Sequence, residues 1–128
     1  MSFGHIGRRE LIAAIGTDNV GFRLDSWHWF NAEETEKDIL SLRNSDVVTV
    51  DLNDAPVGVT LDQYNDGQRE LPASTGVIPV KTFLDALVQI GYDGPIQAEP
   101  NNANLRATPE DEALAQTSAA MKKAFGEI

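Results

Sequence analysis

The chain contains no cysteine in its 128 residues, which excludes disulfides, thiolate metal sites and cysteine nucleophiles. It is also poor in positive charge. Ten Lys and Arg stand against twenty Asp and Glu, a formal net charge of −10. That balance argues against a nucleic-acid partner, because phosphate-backbone contacts need clustered cations. It equally disfavours an anionic membrane surface. No apolar run reaches the length of a membrane-spanning helix. Residues 1–16 lack the apolar stretch of a signal peptide and carry Arg8, Arg9 and Glu10, so a cytoplasmic setting is expected. No glycine-rich loop stands at a strand–helix turn, which leaves a phosphate-binding α/β domain without support. What remains is ordinary for a globular protein: 41% hydrophobic and 23% charged residues, at a length that suits one domain or a piece of a larger one.

What the chain does have is a repeated pattern. Three β-strand-like segments each end in an acid: Val20–Asp25, Val47–Leu52 with Asp51 near its end, and Pro95–Glu99. Helix-like stretches separate them. In a parallel α/β sheet the C-terminal strand ends share one face, so Asp25, Asp51 and Glu99 are expected to converge there, where barrel and open-sheet enzymes place their active sites. Carboxylates brought together repel and raise one another's pKa. A divalent cation is the simplest reason for such convergence. A strand-end acid taken alone also serves as a helix cap or a solvated turn.

The remaining pattern is consistent with α/β organisation. Arg8–Ile15 reads as a short helix stopped by Gly16. Asn31 with Glu34 fits a capping box, predicting a helix over Ala32–Leu42. The β-branched run Val47–Leu52 reads as a strand buried on both faces. Residues 53–79 show little regular pattern, and loops of that length are usually functional or mobile. Val80–Ile90 is the clearest amphipathic helix, with Val80, Phe83, Leu84, Leu87 and Ile90 on one face and Gly91 ending it. Thr108 caps the last helix with Pro109 at its first position, and Leu114, Ser118, Met121 and Phe125 form its inner stripe. No linker or domain boundary is apparent.

Four segments together resemble the sugar phosphate isomerase/epimerase superfamily with a xylose isomerase-like TIM barrel. They are Val20–Phe30 (VGFRLDSWHWF), Val50–Pro56 (VDLNDAP), Arg69–Ile78 (RELPASTGVI) and Gly91–Pro100 (GYDGPIQAEP). Each is weak singly; the specificity lies in finding four in the family's order. The resemblance implies a partial TIM barrel over residues 1–128, the C-terminal part of the domain, with about three of eight β/α units, parallel strands and outer helices. Three parallel strands cannot close a barrel.

The resemblance also implies roles. The family's metal sits at the barrel's C-terminal mouth, held by two Glu, one Asp and one His. Asp25 matches the Asp ligand and Glu99 the last Glu, which both binds metal and moves a proton. Asp51 occupies the position where many members have His. This shifts the donor set towards oxygen and favours Mn²⁺ or Mg²⁺, with Zn²⁺ or Co²⁺ as alternatives. Asp54 is a rival to Asp51, and Asx-turn chemistry before Ala55-Pro56 explains it as well. His28 and Arg69 match residues that contact substrate, and Trp27 is expected to line a sugar pocket. His28 could equally be packed between Trp27 and Trp29, and Arg69 could form a surface pair. The chain departs from the family pattern at Ala73 and Pro79, in the long loop.

The implied activity is metal-dependent isomerisation or epimerisation of a small-molecule sugar or polyol, by proton transfer next to a carbonyl through an enediolate. The second acid/base Glu would come from a preceding unit, so the chain alone is expected to be inactive. Alternatives are an inosose dehydratase-type lyase using the same site, or a non-catalytic module that completes a barrel with another chain or self-associates through open strand edges. A DNA-repair endonuclease of the same superfamily would need more histidine ligands than the two present, and a basic groove.

Overall fold

The computed structural model describes residue 16 and residues 21–126. The helix expected over Arg8–Ile15 lies outside the described residues. Three parallel strands form one sheet in the order β1 (Phe22–Asp25), β2 (Val47–Leu52), β3 (Ile96–Ala98). Among the described residues the sheet is not closed. Five α-helices among the described residues accompany it: α1 (Ser26–Asn31), α2 (Glu36–Leu40), α3 (Val80–Gln89), α4 (Ala103–Arg106) and α5 (Glu110–Ala124). The parallel strands and flanking helices expected of the sequence are therefore present.

Register fixes which side chains share a face. Asp25 pairs with Asp51, Arg23 with Thr49, and Asp51 with Gln97. Side chains alternate along a strand, so Arg23, Asp25, Thr49, Asp51, Gln97 and Glu99 lie on one face. The opposite face is apolar. Phe22, Leu24, Val50 and Leu52 are buried there with Ile39, Ile78, Phe83 and Leu87. The core thus sits between the sheet and the layer formed by α2 and α3, which pack on each other. α3 presents Val80, Phe83, Leu84 and Leu87 inward, at the spacing of one helical face.

Close approach at the start of the sheet requires a glycine. A Cβ on Gly21 would lie 2.6 Å from Val48 Cγ2 and 2.7 Å from the Asp46 carbonyl oxygen. The β1–β2 register shifts immediately afterwards, between Phe22 and Arg23.

Two expected elements are corrected. The helix predicted over Ala32–Leu42 is split. α1 begins directly after β1, with Asp25 as its N-cap, and the chain breaks at Glu33, whose φ of 56° no helix accommodates. α2 then starts after Thr35, whose N–H donates to the Asp38 carboxylate at 2.7 Å. The capping box is therefore Thr35/Asp38, and Asn31 belongs to the end of α1. On α5, Pro109 is the cap residue and the Thr108 hydroxyl donates backwards to the Asn104 carbonyl. Its inward stripe includes Met121, Ala124 and Phe125, but Leu114 is 73% exposed and Ser118 is exposed as well. No helix among the described residues is long and apolar enough to cross a membrane.

Candidate metal and substrate site

The site is built at the C-terminal ends of the three strands. Asp25, Asp51 and Glu99 each offer a carboxylate oxygen, and these oxygens lie within 4.8 Å of one another. Asp25 and Asp51 are buried and Glu99 is exposed. Parallel register alone brings the first two side by side.

Each carboxylate is oriented by distinct partners. Asp25 Oδ1 accepts the Trp27 N–H at 2.8 Å, the N-cap bond of α1. Its Oδ2 faces Arg69 Nη1 at 3.3 Å. Asp51 Oδ1 accepts from Gln97 Nε2 at 2.7 Å, and its Oδ2 accepts from Arg23 Nε at 2.5 Å. Glu99 Oε2 accepts from Arg23 Nη2 at 2.8 Å, and its Oε1 lies 3.4 Å from Arg69 Nη1. The Glu99 N–H donates to Asn53 Oδ1 at 3.0 Å. Asn53 is itself fixed by Ser26, whose Oγ donates to its carbonyl and accepts from its N–H, both at 2.8 Å.

These contacts separate the titrations of two neighbouring acids. Burial raises the Asp51 carboxyl, but hydrogen bonds from Arg23, Glu99 and Gln97 outweigh it and hold the group below its ordinary value. Glu99 is pushed up by its hydrogen bond with Asp51, by desolvation and by the Asp51 charge, against the pull of Arg23 and Arg69. Asp51 is the anion of the pair, and Glu99 is the group that takes a proton more readily.

Arg69 reaches the site from the middle of the long loop. Its backbone bridges antiparallel to Asn101, with both N–H···O bonds at 3.0 Å, and the next residue, Glu70, bridges Asp54 in the same way at 2.9 Å. Asn102 Nδ2 also donates to the Arg69 carbonyl. The guanidinium is buried and lies 5.9 Å from the centre of the Trp27 ring. Its Nη2 is 3.2 Å from His28 Nε2. Arginine has no acceptor, so this contact requires a neutral His28 with its proton on Nδ1. His28 Nε2 stands 4.0 Å from Asp25 Oδ2, beyond hydrogen-bond range.

The structure therefore brings Asp25, Asp51, Glu99, His28 and Arg69 together. Trp27 lies beneath them: it is buried, supports the Arg69 guanidinium and packs on Tyr64 at 5.2 Å between ring centres. Trp29 is buried against Phe83. Asp54 has a different job. Its Oδ1 accepts the N–H groups of Ala55 and Ile78, and its Oδ2 those of Thr75 and Gly76. With four backbone donors it organises the loop and has little capacity left for a ligand.

Sequence reading passed over Arg23, Gln97, Asn53 and Ser26. A signal for two of them was available: Arg23 and Gln97 precede Asp25 and Glu99 by two residues, and strand alternation puts such pairs on one face.

The donor set suits a divalent cation. Three carboxylates on adjacent strand ends form an all-oxygen cluster, which hard cations such as Mg²⁺ and Mn²⁺ favour over the nitrogen and sulfur sites typical of zinc.

Comparison with known proteins gives the following. Residues 3–124 match the sequence profile of the xylose isomerase-like TIM barrel. A xylose isomerase domain protein from Alicyclobacillus acidocaldarius superposes with a TM-score of 0.76 at 34% identity, over 92% of this chain and 41% of that one. The IolI protein, solved with a bound zinc atom, gives 0.83 at 19% identity, over 92% and 42%. A xylose isomerase domain-containing protein from Salmonella typhimurium LT2 gives 0.83 at 23% identity, over 94% and 44%. The latter two likenesses establish the fold. The chain spans less than half the length of each of these three structures. No curated protein sequence matches it.

Proposed function

The chain belongs to the xylose isomerase-like TIM barrel family, and we propose that it carries the metal- and substrate-facing residues of a sugar or polyol isomerase/epimerase, as a partial barrel whose remaining units lie elsewhere. The observation that carries this reading is the convergence of Asp25, Asp51 and Glu99 beside Arg69 and His28. Asp25, Asp51 and Glu99 would hold Mn²⁺ or Mg²⁺. A bound divalent cation polarises a carbonyl oxygen and acidifies the neighbouring C–H.

The protein's own residues supply the rest. Glu99, as the carboxylate, takes the proton from the carbon next to the carbonyl and returns it. Asp51, held ionised, keeps the adjacent charge fixed. Arg69, buried and braced by Trp27, orients a substrate oxygen with its planar fork. Neutral His28 positions a hydroxyl through the same cluster. Trp27 contributes by stiffening Arg69. Net isomerisation needs a second carboxyl on the opposite face of the substrate, which this reading assigns to the units beyond the three strands.

Hydrogen exchange tests this. The purified chain with Mn²⁺ and a panel of ketoses, aldoses and inososes in D₂O should show slow deuterium incorporation next to the carbonyl, without net isomerisation, and Glu99→Gln should abolish it. No incorporation by folded, metal-loaded chain would contradict the reading.

The unclosed sheet favours a second reading, a barrel-completing or self-associating module. β1 and β3 each have a sheet neighbour on one side alone among the described residues, and open edges invite pairing. Association in size-exclusion chromatography, with no metal binding, would favour it.

A further inference from the structure

Arg23 leans across the acidic cluster from β1. Its Nε reaches Asp51 and its Nη2 reaches Glu99, so one guanidinium spans two of the three acids a cation would use. Its side chain is 58% exposed, while that of Asp51 is almost fully buried. The arginine is therefore an exposed arm docked on one buried acceptor, Asp51, and one exposed acceptor, Glu99. It arrives from the strand face that points at the cluster, two residues before Asp25.

The lone pairs that Arg23 occupies on Asp51 and Glu99 are those a hard cation coordinates. Gln97 already takes the other oxygen of Asp51, and Arg69 lies against the other oxygen of Glu99. A divalent ion thus cannot engage Asp51 and Glu99 on their shared side until the guanidinium leaves. Because the arm is long and exposed, and the hydrogen bonds it makes here are to these two acids, it can leave without disturbing the core.

We propose that Arg23 is a tethered cation that competes with the divalent metal for Asp51 and Glu99, setting the metal affinity of this site low and making occupancy depend on displacing the arm. This rests on the metal reading above, and it assigns Arg23 a regulatory place in that site rather than a role in proton transfer.

The test is calorimetric titration of the full chain with MnCl₂, comparing wild type, Arg23→Gln and Arg43→Gln. Arg43 sits just before β2, at the opposite end of the strand from the acids, and pairs with Asp46. It controls for the loss of one positive charge. Exposed ion pairs have modest strength, so Arg23→Gln should tighten Mn²⁺ binding about three- to fivefold, while Arg43→Gln matches wild type. Circular dichroism confirms that each variant is folded. Equal affinity in wild type and Arg23→Gln, or weaker binding in Arg23→Gln, overturns the proposal and leaves the metal site standing. Equal tightening by both variants also overturns it, since net charge then explains the effect. Absence of binding to every folded variant overturns the metal reading and this proposal with it.

Discussion

Arg69 Nη1 lies 3.3 Å from Asp25 Oδ2, and both side chains are buried, which ties the middle of the long loop to the end of β1. Breaking a buried pair leaves a charge without compensation. Arg69→Ala should therefore lower the unfolding free energy by about 3 kcal/mol or more, as removal of one member of a buried pair does. Urea denaturation of the chain measures this. Arg69→Lys keeps the charge but loses the fork, and should recover part of the loss.

Asp51 and Asp54 stand three residues apart, and the same change should affect metal binding at one and chiefly loop stability at the other. Asp54→Asn replaces an acceptor by a donor facing backbone N–H groups, and should cost about 1–3 kcal/mol for each donor left unsatisfied. Asp51→Asn should chiefly remove metal binding. Urea midpoints and Mn²⁺ titrations on the two variants separate a loop-forming carboxylate from a ligand.

The pH dependence follows from the direction of each shift. Asp51 is lowered from 3.8, so its contribution to stability is present above that value and is lost as pH falls through its folded value. Glu99 is raised from 4.5, so its contribution is full below that value and is lost as pH rises through its folded value. At pH 7, metal-free Glu99→Gln should then melt at a higher temperature than wild type, and Asp51→Asn at a lower one. Both differences should shrink as the pH approaches 3. Thermal melts in EDTA across this range check the two signs.

Gly21 gives a prediction independent of the site. An added Cβ meets the Asp46 carbonyl and Val48, so Gly21→Ala should cost about 1–3 kcal/mol through forced movement of the β1–β2 edge. Melting of the variant measures it, and little change would mean that this edge is soft.

The sheet was legible in the sequence because it repeats itself. Three apolar strands ending in Asp25, Asp51 and Glu99 predict parallel register and a shared polar end, and the pairing of Asp25 with Asp51 follows that pattern. The α3 face was equally plain, since Val80, Phe83, Leu84 and Leu87 recur at helical spacing. Other features depended on contacts remote in sequence. The position of Arg69 is set by bridges to Asn101 and, through Glu70, to Asp54, none of which local pattern announces. The break between α1 and α2 rests on a positive φ at Glu33, a residue that carries no glycine-like signal. On α5, Leu114 drew the predicted stripe towards itself, yet a single leucine on a largely polar helix fixes no direction, and it stands exposed. Arg23 was hidden by reading strands for their apolar positions, although alternation placed it beside the acids.

The most direct measurement is isothermal titration of the purified chain with Mn²⁺ beside its Glu99→Gln variant. A metal-holding cluster at the strand ends requires saturable one-to-one binding by wild type and its loss in a variant that stays folded. No binding to folded wild type, or binding that Glu99→Gln leaves unchanged, would contradict it.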